Sequence, residues 1–195
     1  MADQLAGAQS GRAHGAAGMD DGQPAVHAAV VRQDISRGEV AGTNMTSANV
    51  NELTILLIES YKRATGRTLL EPEPPPGKEA EALFEAPFAV LSHGTEPDPI
   101  LQYGNRTALK LWEMDWEAFT SMPSRLTAEQ AERGERERLL NDARTKGYSD
   151  GYRGVRISSS GRRFEIIDAV IWNVTDENGA YRGQAAMIPR WRYLD

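Results

Sequence analysis

Apolar and polar side chains alternate from residue 148 to residue 188, and two clusters of turn residues cut that stretch into three strands, at about 150–158, 163–174 and 181–188. Ser159, Ser160 and Gly161 make the first loop and residues 176–179 the second, each with a glycine where φ must be positive. Upstream, residues 87–93 and 100–103 read as two shorter strands, and the breaker-rich stretch 94–99 turns them into a hairpin. Between this hairpin and the long strands the period becomes helical. Asn105 caps a helix carrying Ala108, Leu109, Leu111 and Trp112, and Asp115 caps a second one with Trp116 and Phe119. Thr127 with Gln130 forms a capping box that opens a charged helix over 128–146, supported by the pairs Glu129–Arg133 and Glu132–Arg136 and interrupted by Gly134.

One helix precedes all of these elements. Asn49, with Glu52 three residues on, has the reciprocal pairing of a helix N-terminus. Val50, Leu53, Leu57, Tyr61 and Ala64 then share a face with Leu56 beside them, and Gly66 supplies a left-handed stop. Ile55 and Ile58 fall off the stripe, so the helix is apolar on more than one side, as in an element buried in its own domain or shared with another chain. The EPEPPPG connector at 71–77 is stiff and extended, and a short helical turn follows at 78–86. In the strand at 163–174, Phe164, Ile166, Asp168, Val170, Trp172 and Val174 make one mainly apolar face, while Ile167, Ala169 and Ile171 make the other apolar too, so both sides must be covered. The helix from Val50 to Thr65 is the element left for the second face. The pattern therefore predicts an α+β fold: a five-stranded antiparallel sheet with helices on one face and an N-terminal capping helix. It divides into a tail at 1–46, the helix with its Pro-rich linker at 47–77, and the sheet domain at 78–195.

Composition narrows the class. The tail is rich in Ala, Gly, Gln and Asp, has no aromatic residue and shows no sustained period, which predicts disorder. Over the whole chain 40% of residues are hydrophobic and 26% charged, enough to fill one core. Apolar runs are far too short to span a bilayer, and the first residues lack the basic and apolar regions of a secretory signal, so a cytoplasmic protein without membrane contact is expected. Cysteine is absent, which removes disulfides, thiolate metal sites and Cys nucleophiles together. A net charge of −6 and a pI near 5.2 give no attraction for phosphate backbones, so no nucleic-acid partner is expected.

Two strands, a cluster of short helices, one longer helix and three long antiparallel strands follow the order of a PAS domain. The residues carry a narrower likeness. EAPFAVLSHGTEPDPILQYGNRTALKLWE at 85–113, PSRLTAE at 123–129, GVRISSSGRRFEI at 154–166, WNV at 172–174 and GQAA at 183–186 resemble the MEKHLA domain, a PAS-like family, so the likeness runs from about residue 53 to residue 188. In plants this domain closes class III homeodomain–leucine zipper transcription factors, where it is thought to regulate dimerisation, and related versions occur in bacteria and algae. The resemblance implies a PAS-like fold and a regulatory role. This chain has no homeodomain, zipper or lipid-binding domain, so the transcription-factor role is not carried over and sensing or partner control remains.

Candidate chemistry is sparse. His93, at the end of the first strand, is the histidine of the folded part and a candidate pH-sensitive or ligand-facing group, set against a plain hydrogen-bonded turn residue. Tyr103, Trp112, Trp116, Phe119 and Trp172 fall on elements that would enclose a PAS cavity. Asn105, Asn173 and Gln184 would be polar anchors, and Arg125 would meet an acidic group. The competing reading makes the aromatics core and Asn105 only a cap. No cofactor is expected: no histidine follows residue 93 to ligate a haem, carboxylates are scattered rather than clustered for a metal, and Ser158, Ser159 and Ser160 make a hairpin loop rather than a nucleophile elbow. The expectation is a non-enzymatic module, with a homodimer or protein partner engaged through the helix from Val50 to Ala64 and the outer sheet face, and a possible small molecule in the cavity. The alternative is a cofactor-free lyase or isomerase in the same cavity, for which Asp168 is the nearest candidate partner of His93.

Overall fold

The computed structural model describes residues 47–128, 137, 139, 141 and 143–194; the expected tail and most of the charged helix, with its Gln130 cap partner, its two ion pairs and Gly134, lie outside the described residues. Helices α1 (Ser47–Thr65) and α2 (Glu79–Glu85) precede the hairpin of β1 (Ala89–His93) and β2 (Leu101–Gly104). Then come α3 (Arg106–Trp112), α4 (Trp116–Thr120) and a 3-10 turn, η1 (Ser124–Thr127), and residues 143–146 are helical again. The chain ends in β3 (Tyr148–Ile157), β4 (Arg163–Thr175), β5 (Tyr181–Ile188) and β6 (Arg190–Tyr193).

One antiparallel sheet holds all the strands, in the order β2-β1-β5-β4-β3 with β6 beside β4. The hairpin and the late strands meet where β1 pairs β5, from Ala89 opposite Ile188 to His93 opposite Gln184. Two cores flank the sheet. On the inner face Leu91, Leu111, Trp112, Phe119, Phe164, Ile171 and Ile188 pack under α3 and α4. On the outer face Leu57 and Tyr61 of α1 pack with Leu83, Val90, Tyr103, Val170, Trp172 and Val174. The capping helix is thus supplied by the same chain. Its seat is specific as well as apolar: the Tyr61 ring meets Trp172 edge-on at 5.0 Å, and the Trp172 indole N–H donates to Ser60 Oγ at 3.0 Å. Burial of a side chain such as Leu57 contributes roughly 1.5–3 kcal/mol. Gly66 closes α1 at φ 70° as expected, but Asn49 lies inside the helix and is no cap, because α1 already begins at Ser47.

Two features of the sheet depart from the alternation. Asp168 adopts φ 56°, a left-handed conformation that Asp tolerates better than most residues. Tyr152 pairs with Ala169 and Gly154 with Ile166, so β4 has one residue more than β3 between those pairs, a bulge. The bulge shifts the side-chain parity. Phe164 and Ile166 therefore join Ala169 and Ile171 in the inner core, while Val170, Trp172 and Val174 face α1, and the expected single face from Phe164 to Val174 is split at Asp168. The second departure is β6, which the sequence reading did not contain. Pro189 lacks an N–H and ends β5, after which residues 190–193 pair with 164–167 of β4.

Glu113 ends α3 at φ 56° and ties the β3–β4 loop to it. Its carboxylate accepts hydrogen bonds from Ser158 Oγ at 2.7 Å and from Ser160 Oγ, and its carbonyl accepts one from Ser159 Oγ at 2.7 Å. Hydrogen bonds from the Ser158 and Ser160 hydroxyls hold the Glu113 carboxyl below its ordinary value of 4.5 against the opposing effect of burial, with a lesser contribution from the Arg162 charge.

Two predictions follow from these positions. Asp168→Gly should leave the urea midpoint unchanged or raised, whereas Asp168→Val, with a branched Cβ at positive φ, should cost about 1–2 kcal/mol. Because the Glu113 carboxyl is depressed, its tie to the loop is complete above the ordinary carboxyl pKa and is lost as pH falls through the depressed value. Protection of the amides of residues 158–161, taken relative to their intrinsic exchange, should fall below about pH 4.5, and Glu113→Gln should abolish that loss of protection.

Candidate functional site

The inner face of the sheet is apolar at one end and polar at the other. Leu91, Ala186 and Ile171 belong to the inner core, and two residues along each strand stand His93, Gln184 and Asn173. These three are also direct cross-strand partners, His93 opposite Gln184 and Gln184 opposite Asn173, so they form one row across β1, β5 and β4. Gln184 Nε2 donates to Asn173 Oδ1 at 3.1 Å, and Asn173 Nδ2 donates to the Arg144 carbonyl at 3.0 Å, which ties the row to helical residues 143–146. His93 Nδ1 lies 2.8 Å from the Gly94 carbonyl, which only accepts, so Nδ1 carries a proton. Gly183, at φ 132°, lets β5 approach this row: a Cβ there would collide with the His93 carbonyl oxygen.

Above the row opens a cleft of about 360 Å³, lined by His93 and Gln184 from the sheet, Pro97, Asp98 and Pro99, Ser124 and Arg125, Glu137, Asn141 and Arg144, and Tyr181. Asp98 and Arg125 close one side as a fork, with Nε to Oδ1 at 2.9 Å and Nη2 to Oδ2 at 3.0 Å. The Asp98 carboxylate raises the already high pKa of the Arg125 guanidinium, first through the hydrogen bond and then through its charge. The cleft is thus a mixed-charge recess with a buried floor of imidazole and amide groups, suited to a small polar guest oriented by a few hydrogen bonds.

The candidate residues named from the sequence divide in two. His93, Arg125 and Gln184 line the cleft, and Asn173 stands in the row beneath it. Asn105, Tyr103, Trp112 and Trp172 are not in it. Asn105 is wholly buried: its Oδ1 accepts from the amides of Ala108 at 3.0 Å and Val90 at 2.9 Å, and its Nδ2 donates to the carbonyls of Leu83 at 3.2 Å and Phe88 at 2.8 Å. Every hydrogen-bonding site of that amide is spent on the backbone, so Asn105 is a brace between α2, β1 and α3. The aromatics do not enclose one cavity, because strand parity sends them to opposite faces. Trp112 lies in the inner core, edge-on to Phe164 at 5.2 Å and to Phe119 at 6.1 Å. Trp172 is in the outer core, as is Tyr103, which meets Trp116 at 5.8 Å. Burial pushes the Tyr103 phenol well above its ordinary pKa, and a hydrogen bond with the Thr54 hydroxyl offsets part of this.

The pair on which an acid–base reaction would depend is not assembled. Asp168 pairs with Arg190 at the half-exposed bulge of β4 and has no place in the lining of the cleft that holds His93. Reading the sequence missed Asn141, Arg144 and Tyr181. The first two belong to a helix whose charged pattern signals a solvated face, and a tyrosine opening a strand carries no signal of its own.

A family model for the MEKHLA domain matches residues 51–193. Among solved structures, the PAS domain of a protein from Colwellia psychrerythraea is 14% identical with a TM-score of 0.52, over 60% of this chain and 94% of that one. An RNA-binding Light-Oxygen-Voltage receptor is 16% identical with a TM-score of 0.50, over 67% of this chain and 36% of that one, so the likeness spans about a third of the receptor. These structural likenesses show a PAS fold. No curated protein matches the chain in sequence.

The two kinds of polar residue predict opposite mutational outcomes. Asn105→Ala strands the buried amides of Val90 and Ala108 and should cost about 3 kcal/mol or more in chemical denaturation. Asp98→Asn breaks a half-exposed ion pair and should cost less than about 1 kcal/mol.

Proposed function

The chain belongs to the MEKHLA domain family, and from that premise we propose that it is a PAS-type regulatory module in which a small polar ligand in the inner-face cleft biases the docking of α1 on the outer face. Lifting α1 uncovers the apolar surface of Val170, Trp172 and Val174 for a second copy or another protein partner. The observation that supports this most directly is the adjacency of two residues on β4. Asn173 stands in the polar row below the cleft, and Trp172 holds α1 through Tyr61 and Ser60. A ligand that pulls the Gln184–Asn173 pair toward itself therefore acts on the strand that carries the helix seat. The family match takes in α1 together with the sheet, which fits a helix that is part of the module's working unit.

A ligand shifts the docking equilibrium only as far as it prefers one arrangement, about 1.4 kcal/mol for each tenfold change. Among the described residues no helix is long and apolar enough to cross a membrane.

Two measurements test the reading. Leu57→Asp in the full chain buries a charge in the helix seat and should release α1, so light scattering should report a shift toward dimer. A variant that releases α1, seen as fast amide exchange, yet stays monomeric without gaining a partner ends the association half of the proposal. Native mass spectrometry of the protein from its source should show a bound small molecule that is lost in Gln184→Ala; identical spectra of an unliganded chain in both cases end the ligand half.

A further inference from the structure

The outer face of the sheet changes character below the bulge at Asp168. Above it Val170, Trp172 and Val174 seat α1; below it the face continues as Arg163, Glu165 and Ile167 of β4, with Arg192 opposite Glu165 and Arg190 opposite Ile167 on β6. Directly paired residues share a face, so both β6 arginines stand on this side, while Trp191 packs on the inner core and the Tyr193 ring meets Phe164 at 6.3 Å. The charge here is basic. Arg153 of β3 and Arg192 share one carboxylate, Glu165, at 3.5 and 2.6 Å, Arg190 pairs with Asp168, and the Arg162 guanidinium lies 3.4 Å from the centre of the Tyr193 ring. With Arg163 exposed beside them, arginines outnumber the described carboxylates of this region, on a chain whose net charge is −6.

The same strand has an open edge. β1 ends opposite Ile188, and among the described residues no strand lies beside β6 on the side away from β4. The Leu194 amide donates to the Arg163 carbonyl at 2.9 Å, and antiparallel ladder bonds alternate, so the backbone groups of Arg190 and Arg192 point to β4 while those of Trp191 and Tyr193 point outward. The other edges are blunted: β3 shifts register between Ser149 and Gly154, and the edge at β2 is occupied where the Leu101 amide donates to the Met122 carbonyl and Ile100 bridges Pro123. β6 keeps an unbroken register. We propose that β6 is a docking edge for an extended acidic segment of a partner protein, which adds as a strand beside Trp191 and Tyr193 and sets its carboxylates against Arg190 and Arg192. A second copy of β6 does not fit there, because it would bring arginine against arginine. This edge is separate from the cleft and from the α1 seat, and it works whether or not either of them moves.

Fluorescence anisotropy on the full chain tests this with a labelled peptide of alternating glutamate and valine, beside its lysine and valine counterpart and a single-stranded oligonucleotide of matching charge. The acidic peptide should bind, more weakly as salt is raised, and the lysine peptide should not. Arg190→Gln together with Arg192→Gln should weaken binding about tenfold. The edge itself is read in the native protein, without relying on a variant: the bound acidic peptide should slow amide exchange at Trp191 and Tyr193 and leave Arg190 and Arg192, already in the ladder, unchanged. An acidic peptide that does not bind, or that binds and leaves the Trp191 and Tyr193 amides as they were, overturns the proposal. So does an oligonucleotide that binds more tightly than the peptide, since the face would then be a phosphate site.

Discussion

A strand that is apolar on both faces must be covered on both, and β4 is such a strand. It lies inside the sheet with β3 along one edge and β5 and β6 in succession along the other, and it contributes to both cores. Everything else in the molecule is arranged around that requirement. The inner face takes α3 and α4, whose Trp112 and Phe119 fill the space above Phe164. The outer face is left to α1, and Trp172 settles where the helix sits, because its N–H cannot be buried without an acceptor and Ser60 supplies one. Remove α1 and the outer core loses one wall; remove the outer core and α1 has no reason to be a helix in that place.

Much of this was legible in the chain, and the parts that were not have identifiable causes. Periodicity of two located β3, β4 and β5, breakers located the hairpin, and Asn105 and Asp115 cap α3 and α4 through the amides of Ala108 and Ala118 as their positions imply. The two-sided burial of β4 was readable from Ile167, Ala169 and Ile171. What failed was the assignment of faces. A bulge has no signature in a run of apolar residues, and Asp168 looks like any polar interruption until its φ of 56° is known, yet that one angle exchanges the faces of everything before it. The same problem of parity misplaced Tyr103 and Trp172, which were expected beside Trp112 and lie across the sheet from it. β6 escaped because four residues with two arginines after a proline do not alternate in hydrophobicity. Its ladder depends on β4 being there to pair with.

The candidate site shows the same division. Polar residues were better guides than aromatic ones, since a buried amide needs a partner and must therefore lie near other polar groups, whereas a tryptophan is content in any core. His93, Asn173 and Gln184 converge because they occupy cross-strand positions of three neighbouring strands. Asn105 is the instructive exception. From the sequence it reads as an anchor or, more readily, as a cap, and only the four backbone groups around it decide, leaving no donor or acceptor for a guest.

The geometry gives the proposed coupling, from a cleft on one face of the sheet to a helix against the other, a route that needs no chain of contacts through the core. Successive residues of a strand point to opposite faces, so Asn173 and Trp172 are separated by one peptide unit while serving different sides of the molecule. A small rotation of that unit, of the kind required when an amide reorients toward a guest, moves the indole in the opposite sense. In the proposed coupling the sheet is a lever whose two ends, Asn173 and Trp172, are adjacent residues.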